Sequence, residues 1–306
     1  MIRIENLTKS FSQGFIPHKV RALDHLNLTV NRGEVFGYLG PNGAGKTTTI
    51  KLLMNLIFPD QGQAWIMGEN VVERTRARQR VGFLPDQPYF YEYLTGREFL
   101  DFCGQLCGVP KSLREKRGAE LLELLGMTEA SKMQLRKYSR GMLQRIGLAQ
   151  ALINDSDLLI LDEPMTGLDP VGRKEVRDII LDLKARGKTI FFSSHILSDA
   201  ELICDRVGIL LKGKLIAVGR LDELVRKQVK SVEITASNLD PTTLERLRPL
   251  AQRLMVQDEK VLLQVGSEEK SFQVTKMITE GGGRVHAIVP QRETLEDIFM
   301  REMRGN

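Results

Sequence analysis

The sequence predicts an α/β protein with a parallel core sheet, followed by a second, smaller α/β domain. The apolar run in GEVFGYLG (33–40) leads directly into a glycine-rich loop and a helical pattern, PNGAGKTTTIKLLMNLIF (41–58). Two further apolar runs, in DLLILDEP (157–164) and KTIFFSSH (188–195), have the length and composition of buried parallel strands. Residues 223–306 carry a different pattern, in which short strands and helices alternate.

The composition is ordinary for a globular protein: hydrophobic residues make up 42% of the 306 positions and charged residues 27%. No apolar run reaches the ~18 residues that span a bilayer, and no signal peptide is evident, so we expect a cytosolic protein. Cys103, Cys107 and Cys204 are too few and too unevenly spaced for a disulfide framework. We predict that these cysteines are reduced and buried.

The net charge of +5 and the sequence pI of about 9.1 would suit a nucleic acid or an anionic membrane surface. The charges form no block, however. In the densest cluster, Arg74, Arg76, Arg78 and Arg80 alternate with small or polar residues, and we interpret this segment as a solvated face. We therefore expect no nucleic-acid partner.

The first two strands are predicted at RIENLTKSF (3–11) and VRALDHLNLTV (20–30), where apolar residues alternate or cluster before turn residues. The strand at 35–39 then enters a loop that fits G-x-x-x-x-G-K-[ST]. This loop comprises Gly40, Pro41, Asn42, Gly43, Ala44, Gly45, Lys46, Thr47 and Thr48. Its glycines let backbone N–H groups converge on phosphates, Lys46 would neutralise phosphate oxygens, and the Thr47 hydroxyl would ligate Mg²⁺. A plain glycine-rich turn is the weaker alternative.

Acidic and imidazole side chains follow the other two buried strands. Asp162 and Glu163 end the strand in DLLILDEP, where Asp162 would hold Mg²⁺ through water and Glu163 would deprotonate an attacking water. Two solvated acids at a strand end are the alternative. His195 ends KTIFFSSH; a lone histidine is usually structural, but at this edge of a sheet it could reach a γ-phosphate.

Residues 1–222 resemble an ATP-binding-cassette (ABC) ATPase, because seven motifs occur in the order of that family. Residues 40–47 are similar to its Walker A motif, 158–163 to Walker B, and MTGLDP (165–170) to its D-loop, with Asp169 as the acid. Phe11 lies where the family stacks an aromatic ring on adenine, and His195 matches its switch histidine. The resemblance implies a RecA-like core, an antiparallel β-subdomain and a helical subdomain at about 88–155, with bound ATP and Mg²⁺.

Two motifs depart from the family pattern. VGFLPDQ (81–87) places Asp86 in the Q-loop glutamine position, with Gln87 next, so either could approach Mg²⁺ and water. YSRGM (138–142) stands where the family carries its signature LSGGQ; it keeps Ser139 and Gly141 and replaces the other three, two of them by Arg140 and Met142. From the residues alone, Ser139 is a helix N-cap before a buried amphipathic helix. The resemblance adds that residues 139–142 contact the nucleotide of a partner chain.

The entrance to the predicted helical subdomain is aromatic. PYFYEYLTG (88–96) contains Tyr89, Phe90, Tyr91 and Tyr93. Such clusters are more often part of a core, but these residues alternate with polar ones and follow the Q-loop, where the family contacts its membrane partner. We predict a contact surface for an integral membrane permease.

Residues 223–306 are predicted to form a ferredoxin-like α/β domain. The order is strand SVEITA, a helix near 241–251, a hairpin RLMVQDEKVLLQV turning at 257–259, a helix near 268–279, strand RVHAIV and a final helix TLEDIFMREM. Nothing in this segment predicts catalysis. The final helix resembles the extension of bacterial exporter ATPases, which leaves regulation, dimer support or partner docking open.

The resemblance implies the ATPase subunit of a bacterial ABC exporter, bound to a permease at the cytoplasmic face of the cell membrane. A homodimer would sandwich ATP between Walker A of one chain and residues 139–141 of the other, with Glu163 as base and Lys46 and His195 on the phosphates. The alternatives are an importer ATPase, whose extension is often all-β, and a non-transport ABC ATPase acting on ribosomes or chromosomes. The short segment between Lys46 and Ser139 disfavours the chromosome type, and the single cassette disfavours the ribosome type.

Overall fold

A computed structural model describes residues 1–13, 18–73, 76–225, 229–257, 260–292 and 294–304. The chain divides into two compact units, Met1–Leu221 and Asp222–Asn306, one residue before the boundary expected at 222. None of the helices in the described ranges has the length and hydrophobicity needed to cross a lipid bilayer.

The first unit contains strands and helices in mixed order along the chain. The strands are β1 (Ile2–Gln13), β2 (His18–Val30), β3 (Val35–Leu39), β4 (Gln61–Ile66), β5 (Glu69–Asn70), β6 (Val81–Leu84), β7 (Leu158–Asp162), β8 (Thr189–Ser194), β9 (Arg206–Leu211) and β10 (Lys214–Arg220). The helices are α1 (Lys46–Leu53), α2 (Gly96–Leu106), α3 (Lys111–Leu124), α4 (Arg140–Leu152), α5 (Pro170–Ala185) and α6 (Leu197–Ile203), with α7 (Leu221–Leu224) at the boundary. Short 3₁₀ helices occur at Arg76–Arg80, Glu129–Lys132 and Leu135–Lys137.

Two sheets form the first unit in the part of the chain that the structure describes. The main sheet has the order β10-β9-β3-β8-β7-β6, with parallel pairing from β9 to β6 and an antiparallel β10 at one edge. The second, antiparallel sheet has the order β2-β1-β4-β5. A single apolar cluster joins them, and its largest side chains are the fully buried Phe36, Tyr38 and Phe191. This confirms the predicted α/β core.

The segment between β6 and β7 is helical. Helix α2 begins with a capping box, in which the Thr95 hydroxyl and the Glu98 carboxylate each accept from the other's backbone N–H. Helix α4 begins after Ser139, whose Oγ accepts a hydrogen bond from the Met142 backbone N–H at 3.3 Å. The predicted N-cap role of Ser139 is therefore confirmed.

The second unit contains the predicted order of elements. These are β11 (Val229–Ser237), α8 (Pro241–Leu247), a 3₁₀ helix (Arg248–Leu250), β12 (Arg253–Gln257), β13 (Lys260–Val265), α9 (Glu268–Glu280), β14 (Arg284–Arg292) and α10 (Leu295–Arg304). The sheet order is β12-β13-β11-β14, and every described pairing is antiparallel. Positions 258 and 259 of the predicted hairpin turn, like Arg74 of the predicted basic face, lie outside the described residues.

The prediction of three buried cysteines was wrong. Cys103 is buried, but Cys107 is exposed and Cys204 is intermediate. Cys107 follows the last residue of α2 as its C-cap, where the chain turns away through Gly108 at φ 74°, so its side chain leaves the buried helix face. Burial raises the pKa of the Cys103 thiol to about 12, which keeps it protonated and unreactive.

Candidate active site

Three adjacent strands bring the predicted phosphate-site residues to one edge of the main sheet. The 40–45 loop follows β3, Asp162 ends β7, and His195 follows β8. Strands β3 and β8 pair in register at Leu39 and Ser194, and β7 pairs with β8 at Asp162 and Ser193. Because the strands are parallel, their carboxyl ends meet, and ligands of open α/β sheets bind at such ends.

The loop before α1 requires glycine for steric reasons. Gly43 has φ 79° and Gly45 has φ 111°, both in the left-handed region. A Cβ atom on Gly45 would also lie 2.5 Å from the carbonyl oxygen of Ala22. Helix α1 starts at Lys46, so the backbone N–H groups of its first turn have no partner within the helix. The loop thus offers N–H donors and a helix N-terminus to an anion.

Lys46 is a buried cation whose charge is neutralised within the chain. Its side chain is only 6% exposed, and its Nζ donates to the carbonyl oxygens of Gly40 at 2.7 Å and Pro41 at 3.2 Å. The same Nζ lies 3.2 Å from Oε1 of Glu163. The ammonium group is therefore held by its own loop and by the acid after β7.

The carboxylate of Glu163 contacts three side chains of the site, those of Lys46, His195 and Thr166. Its Oε2 lies 2.8 Å from Nδ1 of His195 and accepts a hydrogen bond from Oγ1 of Thr166 at 3.0 Å. Its backbone N–H donates to Oγ of Ser193 at 2.9 Å, with the residue at φ 52°. Burial acts to raise the pKa of Glu163, but Lys46, His195 and Thr166 together lower it below its usual value. The carboxylate is thus ionised at neutral pH, as a general base must be.

Asp162 differs from its neighbour because it has no cationic partner among the described residues. Its Oδ1 accepts a hydrogen bond from Oγ of Ser193 at 2.5 Å. Burial raises the pKa of Asp162, the charges of Asp86 and Glu163 add to the increase, and hydrogen bonds from Ser193 and Thr47 oppose it. A cation at this point would relieve the cost of burying the carboxylate.

The donor set around Asp162 fits Mg²⁺ completed by phosphate oxygens. A hydroxyl and one or two carboxylates, with water and substrate phosphates, are the usual ligands of Mg²⁺. Thr47 and Asp162 supply these oxygens, and Asp86 lies close enough to influence the pKa of Asp162. Within the described ranges, no group of three or more His, Cys, Asp or Glu side chains could hold a metal by itself. Protein ligands alone therefore do not complete a coordination shell.

A cavity of about 190 Å³ lies over the loop, and we name it the P-loop cavity. Its lining residues are Ala22, Pro41, Asn42, Gly43, Gly45, Lys46, Thr47, Thr48, Asp86 and Glu163. Of the two Q-loop alternatives, Asp86 lines this cavity, whereas Gln87 is exposed and is not among its described lining residues. Gly40 and His195 do not line it either, but both contact residues that do.

Phe11 is placed on β1, opposite Val20 of β2. Its ring is 42% exposed and lies under Lys9, whose Nζ is 5.6 Å from the ring centroid. Phe11 does not line the P-loop cavity in the described residues, where Ala22 is the contribution of β2. The exposed ring face remains free to stack, so adenine contact by Phe11 stays a prediction.

The signature residues line a second cavity of about 420 Å³, which we name the signature cavity. Its lining residues are Ser139, Arg140, Gly141, Arg145, Gly167, Leu168, Asp169, Val171, Gly172 and Glu175. Asp169 also caps α5, because its Oδ1 accepts from the Gly172 backbone N–H at 2.9 Å. Met142 is partly buried and lines neither cavity in the described part of the chain, so its predicted nucleotide contact has no support from this geometry.

Three polar residues of the site were not singled out from the sequence. Ser193 bridges the site by donating to Asp162 and accepting from the Glu163 backbone, and Thr166 donates to Glu163. Gln144 of α4 donates from Nε2 to the Pro164 carbonyl at 2.7 Å, which ties the signature helix to the end of β7. For these three residues, the sequence offered one signal, which concerns Ser193. Two serines stand directly before His195, at the end of an otherwise apolar strand.

The aromatic entrance is exposed except for one ring. Tyr89 is 90% exposed and Tyr93 67%, and the Tyr91 ring packs edge-on against that of Phe102 with centroids 5.1 Å apart. Phe90 is half-buried and contacts Phe99 edge-on at 5.5 Å. Phe90 thus packs into the helical subdomain, and permease contact by Tyr89, Phe90, Tyr91 and Tyr93 stays a prediction.

The chain is similar to known proteins over nearly its whole length. Residues 23–166 match the family model for ABC transporters. The chain is 44% identical over 306 residues to an uncharacterized ABC transporter ATP-binding protein of Nostoc sp., covering 99% of this chain and 90% of that protein. It is 37% identical to the bacitracin transport ATP-binding protein BcrA of Bacillus licheniformis, covering 100% and 98%. It is 33% identical to the Nod factor export ATP-binding protein I of Ralstonia nicotianae, covering 98% and 93%.

The fold is shared with solved ATP-binding cassettes. A dimeric cassette in a post-hydrolysis state, bound to ADP and Pi, aligns with a TM-score of 0.66 at 23% identity, covering 72% of this chain and 99% of that one. This match supports the fold of the first unit. The identities to relatives over nearly the whole chain show that the chain belongs to the ABC transporter ATP-binding protein family.

Proposed function

We propose that this chain hydrolyses ATP as the peripheral subunit of a bacterial exporter, at the cytoplasmic face of the membrane, and drives a separate permease by ATP-dependent homodimerisation. The observation that carries the hydrolytic role is the placement of Glu163. Its carboxylate lies between Lys46 and His195, faces the P-loop cavity and is held in the ionised form.

The residues have separate tasks at the terminal phosphate. Lys46 exchanges its contact with Glu163 for phosphate oxygens, which frees that carboxylate to accept a proton from the attacking water. His195 holds Glu163 through Nδ1 and fixes its orientation. Thr47 and Asp162, with Asp86 nearby, would hold Mg²⁺, which would neutralise charge on the phosphates.

The homodimer is supported by the separation of the two cavities. Among the lining residues that the structure describes, none belongs to both the P-loop cavity and the signature cavity. The signature cavity joins a helix N-terminus to Arg140, an arrangement that suits an anion. A second copy of the chain would bring its own signature cavity to the nucleotide bound here.

Export and permease coupling are supported by the relatives and by the aromatic entrance. One relative is a Nod factor export protein and another a bacitracin transport protein. Tyr89 and Tyr93 expose large apolar surfaces, as docking residues do. A non-transport role on ribosomes or chromosomes has no comparable support.

Replacing Glu163 by glutamine tests the hydrolytic role. Glu163→Gln keeps the size of the side chain but removes the base, so ATP turnover should fall by about 10²–10⁴-fold. Bound ATP should then persist, and light scattering after size-exclusion chromatography should show an ATP-dependent dimer. Glu120→Gln, an exposed change on α3, is the matched control and should leave turnover intact. Unchanged turnover in Glu163→Gln would remove Glu163 from its role.

A further inference from the structure

Asp199 is a buried acid that the proposed mechanism does not use. It lies on α6, which begins two residues after His195, and its side chain is 5% exposed. Its Oδ1 accepts a hydrogen bond from Nη1 of Arg177 on α5 at 2.6 Å. A buried carboxylate needs such a partner, so this contact fixes α6 against α5.

The second oxygen of the same carboxylate makes only a loose contact. Oδ2 of Asp199 lies 3.8 Å from Nη1 of Arg173, beyond hydrogen-bond distance. Oδ2 of Asp199 and Nε of Arg173 are both buried and have no hydrogen-bond partner among the described residues. Unsatisfied buried groups cost free energy, so a shift that closes this gap is favoured.

Arg173 stands at the point where α5 meets the D-loop. It lies in the first turn of α5, and its backbone N–H donates to the Asp169 carbonyl oxygen at 3.0 Å. Asp169 lines the signature cavity, and Thr166 of the same D-loop donates to Glu163. Contacts thus run from His195 to Glu163 and from Glu163 to the D-loop, which leads into Arg173, while Asp199 follows His195 along the chain on α6. The open step is the 3.8 Å gap between Arg173 and Asp199.

We infer that Asp199, with Arg173 and Arg177, forms a positioning cluster that transmits the position of the D-loop to His195 and so to Glu163. Arg177 anchors the carboxylate, and Arg173 is the movable arm. When a second chain contacts Asp169, α5 shifts at its first turn, the Arg173–Asp199 contact closes, and the segment that carries His195 is fixed. This inference rests on the proposed function, because it assigns a coupling role within that hydrolytic site.

Arg173→Gln tests the movable arm in the full-length chain. This change removes the charge from a side chain that is 35% exposed and leaves the Arg177 anchor in place. We expect kcat for ATP to fall about tenfold, with KM and the denaturation midpoint unchanged. Arg173→Lys restores the positive charge and should keep at least about half of the wild-type kcat. Lys174→Gln breaks the neighbouring exposed pair with Asp178 and is the matched control, with kcat expected at the wild-type value.

A double-mutant cycle separates coupling from a general structural effect. If Asp199 acts through Arg173, then Arg173→Gln combined with Asp199→Asn should reduce kcat no further than the more damaging single change. Independent, multiplying losses would overturn the inference, as would a raised KM at constant kcat or a wild-type kcat in Arg173→Gln. Failure of the proposed function would give a different result: the wild-type chain itself would not hydrolyse ATP. That result would overturn the proposed function together with this inference.

Discussion

The P-loop cavity and the signature cavity lie in the same unit, yet their chemistry is complementary. The P-loop cavity holds a lysine and an acid that neutralise each other at 3.2 Å. The signature cavity holds Arg140, which has no ion-pair partner among the described residues, beside the N-terminus of α4. The P-loop cavity thus holds its cation in an ion pair within the chain, whereas the signature cavity presents an arginine that no described acid pairs with.

This difference indicates that neither region is a complete active site. The P-loop cavity is lined by the base Glu163 and by oxygen groups of Thr47 and Asp86, but by none of the signature residues. The signature cavity contains anion-binding features but, within the described residues, no lysine or general base among its lining. A nucleotide bound between copies of these two surfaces would be enclosed by both, and water would be excluded from the phosphates.

The largest expected effect separates the two regions by nucleotide binding. Lys46→Ala should weaken ATP binding to the isolated chain by about 10–100-fold, because a charge-assisted contact to phosphate is lost. Ser139→Ala should leave that binding unchanged but reduce steady-state hydrolysis by about 100-fold, because its hydroxyl acts on a partner's phosphate. Calorimetric titration and a turnover assay measure the two quantities.

Ser139→Asp is the control for the capping role of this serine. Aspartate caps a helix as well as serine does, so α4 should be as stable, but its charge would repel a phosphate. Turnover should therefore be lower in Ser139→Asp than in Ser139→Ala. If Ser139→Ala weakened ATP binding to the isolated chain as much as Lys46→Ala does, both regions would bind the same nucleotide within one chain. That result would contradict the division of the active site between two chains.

A smaller effect, on stability, is expected inside the P-loop region, where the pKa values of two adjacent acids are shifted in opposite directions. The folded pKa of Asp162 is raised above its ordinary 3.8, so its contribution to stability falls as pH rises through the interval above 3.8. The folded pKa of Glu163 is lowered below 4.5, so its contribution is present above 4.5 and is lost as pH falls through the lowered value. Burial dominates for Asp162, and Lys46 and His195 outweigh it for Glu163.

Asp162→Asn should therefore raise the free energy of unfolding of the nucleotide-free chain at pH 7, by about 0.5–2 kcal/mol, while abolishing Mg²⁺-dependent turnover. The gain should shrink as pH falls toward the ordinary pKa, where Asp162 itself becomes protonated. Urea denaturation at several pH values measures both effects. A loss of stability at pH 7 would show that the carboxylate is not a strained, cation-seeking group.

The sequence was sufficient for the features that depend on local pattern. The spacing of Gly40, Gly45 and Lys46 predicted the loop. The structure explains the glycine at position 45, where φ is positive and the Ala22 backbone leaves no room for a Cβ atom. Apolar runs that end in Asp162 and His195 predicted the two strands of the site. The order of elements in residues 223–306 also followed from alternation and turn residues.

Features that depend on register between distant segments could not be predicted. Ser193 bridges Asp162 and Glu163 because β7 and β8 pair with Asp162 opposite Ser193, which no local pattern specifies. The choice between Asp86 and Gln87 depends on how the chain leaves β6. Phe90 and Tyr91 pack against Phe99 and Phe102 of α2, whereas Tyr89 is 90% exposed, and no local pattern distinguishes these rings.

The most direct test of a shared active site mixes two inactive chains. A chain with Lys46→Ala keeps an intact signature region, and a chain with Ser139→Ala keeps an intact P-loop region. In a mixture, the heterodimer can assemble one site from the two intact halves, so ATP turnover should reappear but reach no more than one active site per dimer. Full wild-type turnover in the mixture, or no recovery above the separate variants, would contradict an active site built from two chains.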